Sequence, residues 1–259
     1  MRYLRTLRLF WSTSLAAEME YRANFTLAAL TSLGSLVGGL FTLDLFYRNG
    51  TTLGGWSWEE ALVVFALFTL LTGFSSVILS PNLSRIVEHV YRGTLDFVLL
   101  KPVDSQFWVS LRNASPWGLP DILLGLGLLI YAGTTLHVSP GMMLLGVAPV
   151  LLAVVVLYSL WFVFGSLAIW YVKIWNVTEV LRGLLEAGRF PIAAFPAGVR
   201  VFFTVVVPVA FLTSVPAELM IGRGSATWLA AETAIALGLF LFTRWFWRFA
   251  LRHYTSASS

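Results

Sequence analysis

ILLGLGLLIYAGTTLHVSPGMMLLGVAPVLLAVVVLYSLWFVFGSLAIWYV, residues 122–172, carries no formal charge apart from an ionisable His137. A helix crosses the roughly 30 Å hydrocarbon core of a bilayer in about 20 residues. At about 1.5 Å per residue this stretch is far too long for one crossing. His137-Val138-Ser139-Pro140-Gly141 interrupts it. It therefore reads as two transmembrane helices joined by a tight turn, at about 119–135 and 141–172.

The same test applied outward finds further spans. No charge lies between Ala23 and Leu43 or between Ala61 and Ser84, so spans are expected at about 23–47 and 61–80. Residues 225–243 make a last one, with Glu232 just short of its middle. Between Phe190 and Met220 stand Pro191, Pro196, Arg200, Pro208 and Pro216, which rule out a full straight helix. A crossing is expected at about 198–212, with a broken or re-entrant segment after it. The count is six. Composition agrees: 58% of residues are hydrophobic, 12% are charged and the mean hydropathy is +0.81, against about 25% charged in soluble domains.

Orientation follows from the Lys and Arg bias of the loops. With the N-terminus in the cytoplasm, fourteen of the 17 basic residues lie inside, among them Arg85, Arg92, Lys101 and Arg112 after span two and Lys173, Arg182 and Arg189 after span four. Only Arg48 and Arg223 fall outside, and Arg200 lies within span five. Both termini are then cytoplasmic, in a cell (plasma or inner) membrane. The start of the chain does not read as a secretory signal, because Arg2, Arg5 and Arg8 are interleaved with apolar residues.

Three stretches are not spans. Residues 1–22 suit an amphipathic helix lying in the membrane interface, with Leu4, Leu7, Trp11 and Leu15 beside an arginine arc. The cytoplasmic loop 81–118 contains a short helix, Ser84 to Arg92, stopped by Gly93. Ile86 and Val90 would line one side of it, with Arg85, Glu88, His89 and Arg92 around the rest. It is either a solvated connector or a docking element for a soluble partner. Arg244, Arg248 and Arg252 recur every four residues near Trp245 and Trp247, as in a membrane anchor.

Within the spans, Gly34 and Gly38 form a G-x-x-x-G that would let a second helix approach closely, a candidate subunit interface. Intramembrane charges are functional candidates by default, so Asp44, Arg200 and Glu232 are candidate substrate-path residues. A catalytic apparatus is not expected: the chain has no cysteine, three scattered histidines and no phosphate-binding loop. No catalytic residue, metal site or cofactor is assigned, and nucleic acid is a poor partner for basic residues set beside apolar runs.

Four pieces carry a resemblance: EYRANF at 20–25, GWSWEE at 55–60, RGTLDFVLLKPVDSQF at 92–107, and RFPIAAFPAGVR through PVAFLTSVPAEL at 189–219. In them the chain resembles membrane subunits of ABC-2-type exporters, in the subgroup that includes viologen exporter permeases. That resemblance implies an all-α integral membrane fold with six transmembrane helices, an N-terminal interfacial helix and a cytoplasmic coupling helix, which would fall around Ser84 to Arg92. It implies a separate ATP-binding-cassette ATPase in two copies, with ATP and Mg on that partner and none on this chain. A second membrane subunit, a related chain or an identical copy, completes the transporter. The function expected is export of a small or amphipathic substrate. The alternatives are a passive channel or lipid scramblase, or a membrane-embedded enzyme.

Overall fold

A computed structural model describes residues 2–20, 22–48, 50, 52–171 and 177–255. Met1, Tyr21, Val172 and Lys173, on which parts of the sequence reading fall, lie outside them. Among the described residues the chain is helical, with one isolated bridge between Leu53 and Trp56.

Helix α1 covers Arg2–Glu18 and α2 covers Arg22–Tyr47. In α2 the hydroxyls of Thr31 and Thr42 donate back to the carbonyls of Leu27 and Gly38, 2.9 and 2.8 Å away, which satisfies both donors within an apolar helix. Helix α3, Trp58–Phe74, opens on a capping box. Ser57 accepts from the Glu60 amide at 3.2 Å while the Glu60 carboxylate accepts from the Ser57 amide at 2.9 Å. This is the local job of the GWSWEE motif.

The expected end of span two at residue 80 is not a break. A π-helical turn at Ser75–Leu79 leads directly into α4, Ser80–Tyr91, and tolerates Pro81 in the first turn of α4. Trp58–Tyr91 is thus one helical run of 34 residues, about 50 Å long, well beyond one bilayer core. Gly93, at φ 67°, stops it in the left-handed region.

Short helices α5 (Leu95–Leu99) and α6 (Ser105–Leu111) follow, then α7 (Leu119–Thr135), α8 (Pro140–Leu145) and α9 (Val147–Ser166). The turn between α7 and α8 is made by His137, at φ 56°, and by Ser139, which caps α8 by accepting from the Met142 amide. Helix α10 is Val177–Leu185. Helix α11, Ala197–Val201, continues through a π turn to Val206, α12 is Ser214–Met220, and α13 runs unbroken over Ala226–Arg252.

Among the described residues five helices are long and apolar enough to cross a membrane, and a sixth is reached only if a pair bent by 71° counts as one. The bend corrects the expected crossing at 198–212. It lies inside that interval, at Val207-Pro208, because Pro208 has no N–H to give and forces Val207 into an extended conformation (φ −120°, ψ 99°). The segment before it takes a path that periodicity did not indicate. Arg182 donates to Ser80 Oγ at 2.8 Å, Arg189 stacks 5.2 Å from the Phe68 ring centroid, and Ala193 lies against Gly54. Residues 182–193 therefore run alongside α3 for nearly its whole length.

The tightest packing joins α3 to α7. A Cβ on Gly73 would lie 2.7 Å from the Ile122 amide nitrogen, one on Gly125 would lie 2.7 Å from that of Leu70, and one on Gly118 would collide with the Gly73 carbonyl. Helix α9 packs on α13 through Phe162 and Trp247, with ring centroids 5.3 Å apart, and both rings are fully buried. Helices α2 and α13 are peripheral. Leu27, Leu30, Leu33, Val37 and Phe41 face outward from α2, as lipid or another membrane chain requires.

Candidate functional site

The segment expected to dock a soluble partner is arranged differently from the sequence reading. Ile86 is completely buried, its Cδ1 3.6 Å from where a Gly165 Cβ would sit, and Val90 packs on the same core. Ile86 holds α4 to α9 and has no surface left for a groove on another protein, whereas Val90 is half-buried. Arg85 is exposed and reaches Asn113 Oδ1 at 3.4 Å. Glu88 pairs with Arg92 at 3.0 Å within the helix. His89 Nδ1 lies 2.8 Å from Thr94 Oγ1, its ring beside Trp108.

The outward apolar surface is one turn further on. Helix α5 buries Leu95 and Val98, spaced i, i+3, and leaves Phe97 and Leu99 facing out. Leu100 follows them at 82% exposed, and Tyr91 at the end of α4 is exposed too. Arg92 and Lys101 border this patch. The signal was in the sequence: LDFVLL holds more apolar residues than a single buried helix face can use.

The loop bearing the patch is fixed to the rest of the molecule from two sides. On one, α1 is bound rather than merely laid alongside. Trp11 Nε1 donates to the Leu111 carbonyl at 3.1 Å, Ser14 exchanges two hydrogen bonds with Ala114, and Trp117 Nε1 donates to Glu18 at 2.8 Å. On the other, Arg244 donates to both oxygens of Asp104 at 2.9 and 2.5 Å and to Gln106 at 3.1 Å. Hydrogen bonding to Arg244 holds the Asp104 carboxyl below its ordinary pKa. The basic stripe expected on one face is thereby split: Arg244 turns inward, whereas Arg248 and Arg252 are exposed.

Two neighbouring cavities lie between α3 and the 182–189 segment. The larger, about 240 Å³, is lined by Thr72, Ser75, Ser76, Trp161, Arg182 and Glu186 among others. The smaller, about 130 Å³, reaches α2 and α7 at Ser32, Ser35 and Asp121. They share Phe68, Thr72 and Glu186 in their linings, so they adjoin as two lobes of one region whose walls carry aromatic rings, leucines, hydroxyls and charged groups. The π turn supplies Ser75 and Ser76, where a helix gives up its regular pattern to present side chains.

The three candidate path residues line neither lobe and no contact joins them. Asp44 pairs with Arg48 on the same helix at 2.5 Å. Arg200 donates to the carbonyls of Ala193 and Phe195 at 3.0 and 3.3 Å, closing a turn. Glu232 is wholly buried, and neither carboxylate oxygen has a hydrogen-bond partner. Gly34 and Gly38 have open space where a Cβ would point, while Gly39 abuts Phe65. Among the described residues no group of three or more His, Asp or Glu is placed to hold a metal ion.

Comparison with curated proteins and with solved structures gave no match. The family model described as ABC-2 family transporter protein matches residues 33–258. That interval takes in the α5 patch, nearly all of the two-lobed cavity and the Asp104–Arg244 contact, and with five helices among the described residues able to cross a membrane the chain belongs to the ABC-2 transporter family as a multi-pass membrane component.

Proposed function

We propose that the chain is the permease subunit of an ATP-binding-cassette exporter, moving a small or amphipathic substrate out of the cytoplasm while ATP is hydrolysed on a separate subunit. The observation that carries this reading is the apolar patch of Tyr91, Phe97, Leu99 and Leu100, set on a loop held rigidly to α1 and α13. Exposed apolar residues bordered by charge suit a protein contact better than water. The patch takes over the docking role first given to Ile86 and Val90; Arg85, Glu88 and Arg92 remain as charged neighbours. In this reading the α5 end, with both termini, is cytoplasmic in the cell (inner) membrane. The chain then returns across the membrane between α9 and α13 by way of the 182–193 segment and the bent pair Ala197–Met220, and two ATPase copies serve two membrane subunits. The two-lobed cavity is the substrate-handling space in place of Asp44, Arg200 and Glu232. The nearer kinship with viologen exporter permeases is supported by the four motifs at 20–25, 55–60, 92–107 and 189–219, the loop motif at 92–107 being the most specific.

Purified alone, the chain is expected to hydrolyse no ATP, and expressed with its ATP-binding-cassette partner it should co-purify with that subunit. Ion or lipid flux through the chain without any ATPase would instead establish a channel or scramblase. The second membrane subunit is expected on the open face of α2 at Gly34 and Gly38, where small residues permit close approach. Replacing both with Leu should leave the subunit folded, because a Cβ at either position points into open space, yet shift it from dimer to monomer in detergent. A double variant as dimeric as the parent places the interface elsewhere.

A further inference from the structure

We propose that Asp104 and Arg244 form the relay through which movement of the docked loop reaches the last transmembrane helix, an inference that rests on the permease reading above. Four features meet at this contact. Asp104 sits four residues beyond Leu100, the most exposed residue of the patch, and caps α6 by accepting from the Phe107 amide at 3.0 Å. The same carboxylate takes two hydrogen bonds from Arg244, a two-pronged geometry that fixes direction as well as distance. Gln106 bridges Arg244 to Tyr158, accepting from the first at 3.1 Å and donating to the second at 3.0 Å, so α9 joins the contact. Helix α13 then continues without proline from Arg244 back to Ala226, about 25 Å away at the other end.

A rigid rod gripped at one end moves at both. When a partner shifts α5, Asp104 carries Arg244 with it and α13 tilts as a unit.

The pair is not needed simply to keep the loop in place. Both side chains are about one-third exposed, at 34% and 31%, where an ion pair adds little stability. Trp247 Nε1 donating to Ser105 Oγ at 3.0 Å, and Ser110 bonded to Tyr158 at 2.9 Å, also hold α6 to α13 and α9. The charge pair contributes stiffness and orientation. Asn at position 104 can still cap α6, so Asp104→Asn removes the charge and spares the fold.

The test uses the cysteine-free chain in complex with its ATPase. A single cysteine replaces Thr227, exposed in the first turn of α13. The rate of its reaction with a maleimide is measured with and without ATP plus vanadate. In the parent complex nucleotide trapping should change the rate several-fold. In Asp104→Asn and in Arg244→Gln the ATPase should still co-purify, but the two rates should become equal. Arg244→Lys, which keeps the charge and leaves the Asp104 cap intact, should retain part of the change. A full nucleotide-dependent change in Asp104→Asn overturns the relay, and so does a loss in Arg244→Lys as complete as in Arg244→Gln. Absence of any ATPase from the parent complex overturns the permease reading itself, and the relay with it.

Discussion

Leu100→Asp should strip the ATPase from the purified complex while the chain still inserts and folds. Leu100 is 82% exposed, so nothing inside the subunit depends on it. Covered by a partner, a leucine side chain contributes about 1.5–3 kcal/mol. An aspartate trapped there without a counter-charge costs several kcal/mol more. At about 1.4 kcal/mol per factor of ten, the loss of affinity should exceed roughly a hundredfold. Leu100→Ala should show only the packing part, about tenfold, and Arg85→Ala less still, since a rim charge is worth about 1 kcal/mol or below. The measurement is the ATPase-to-permease ratio after purification, with the melting temperature of the isolated chain as control. A normal ratio in Leu100→Asp would show the patch to be lipid-facing and move the coupling contact elsewhere on the loop.

Gly125→Leu should abolish the folded subunit, whereas Gly127→Leu, two residues along the same helix, should be close to silent. A Cβ at 125 would lie 2.7 Å from the Leu70 nitrogen and 3.0 Å from its Cα, atoms of a helix backbone that cannot step aside. At Gly127 nothing lies within 4 Å. Overpacking of a core costs about 1–3 kcal/mol when side chains can adjust, and more when the obstacle is main chain. Prising α3 from α7 would also open the small cavity lobe, whose walls both helices supply. Size-exclusion profile and thermal unfolding in detergent check this directly. A monodisperse Gly125→Leu protein with the parent's melting temperature would mean that the two helices are not in contact as described.

Particular elements show how far the residues could be read in advance. The helices Ala23–Tyr47, Trp58–Tyr91 and Pro140–Ile169 announce themselves through long apolar runs, free of charge over Ala23–Leu43, Ala61–Ser84 and the whole of the third, because each residue in a span is judged separately by the same apolar solvent. The capping box at Ser57 and Glu60 and the stop at Gly93 are equally local, a matter of three residues or one backbone angle. The proline set between 191 and 216 signalled a broken segment, but not that the break would fall at Pro208 or that residues 182–193 would climb beside α3.

What the sequence by itself determined is the class of solvent and the five apolar runs outside residues 190–220. Only the tertiary structure decided that Ile86 is spent inside the core, that Arg244 finds Asp104 from 140 positions away, and that α1 is bonded to residues 107–117. The reason is physical. Insertion into lipid is settled helix by helix, since each must satisfy its own backbone. Association between helices has no such contrast to exploit, because lipid tails are as apolar as leucine. Which face packs is then decided by the meeting of small residues, such as Gly73 with Gly118, and by a few polar side chains reaching one another at the ends.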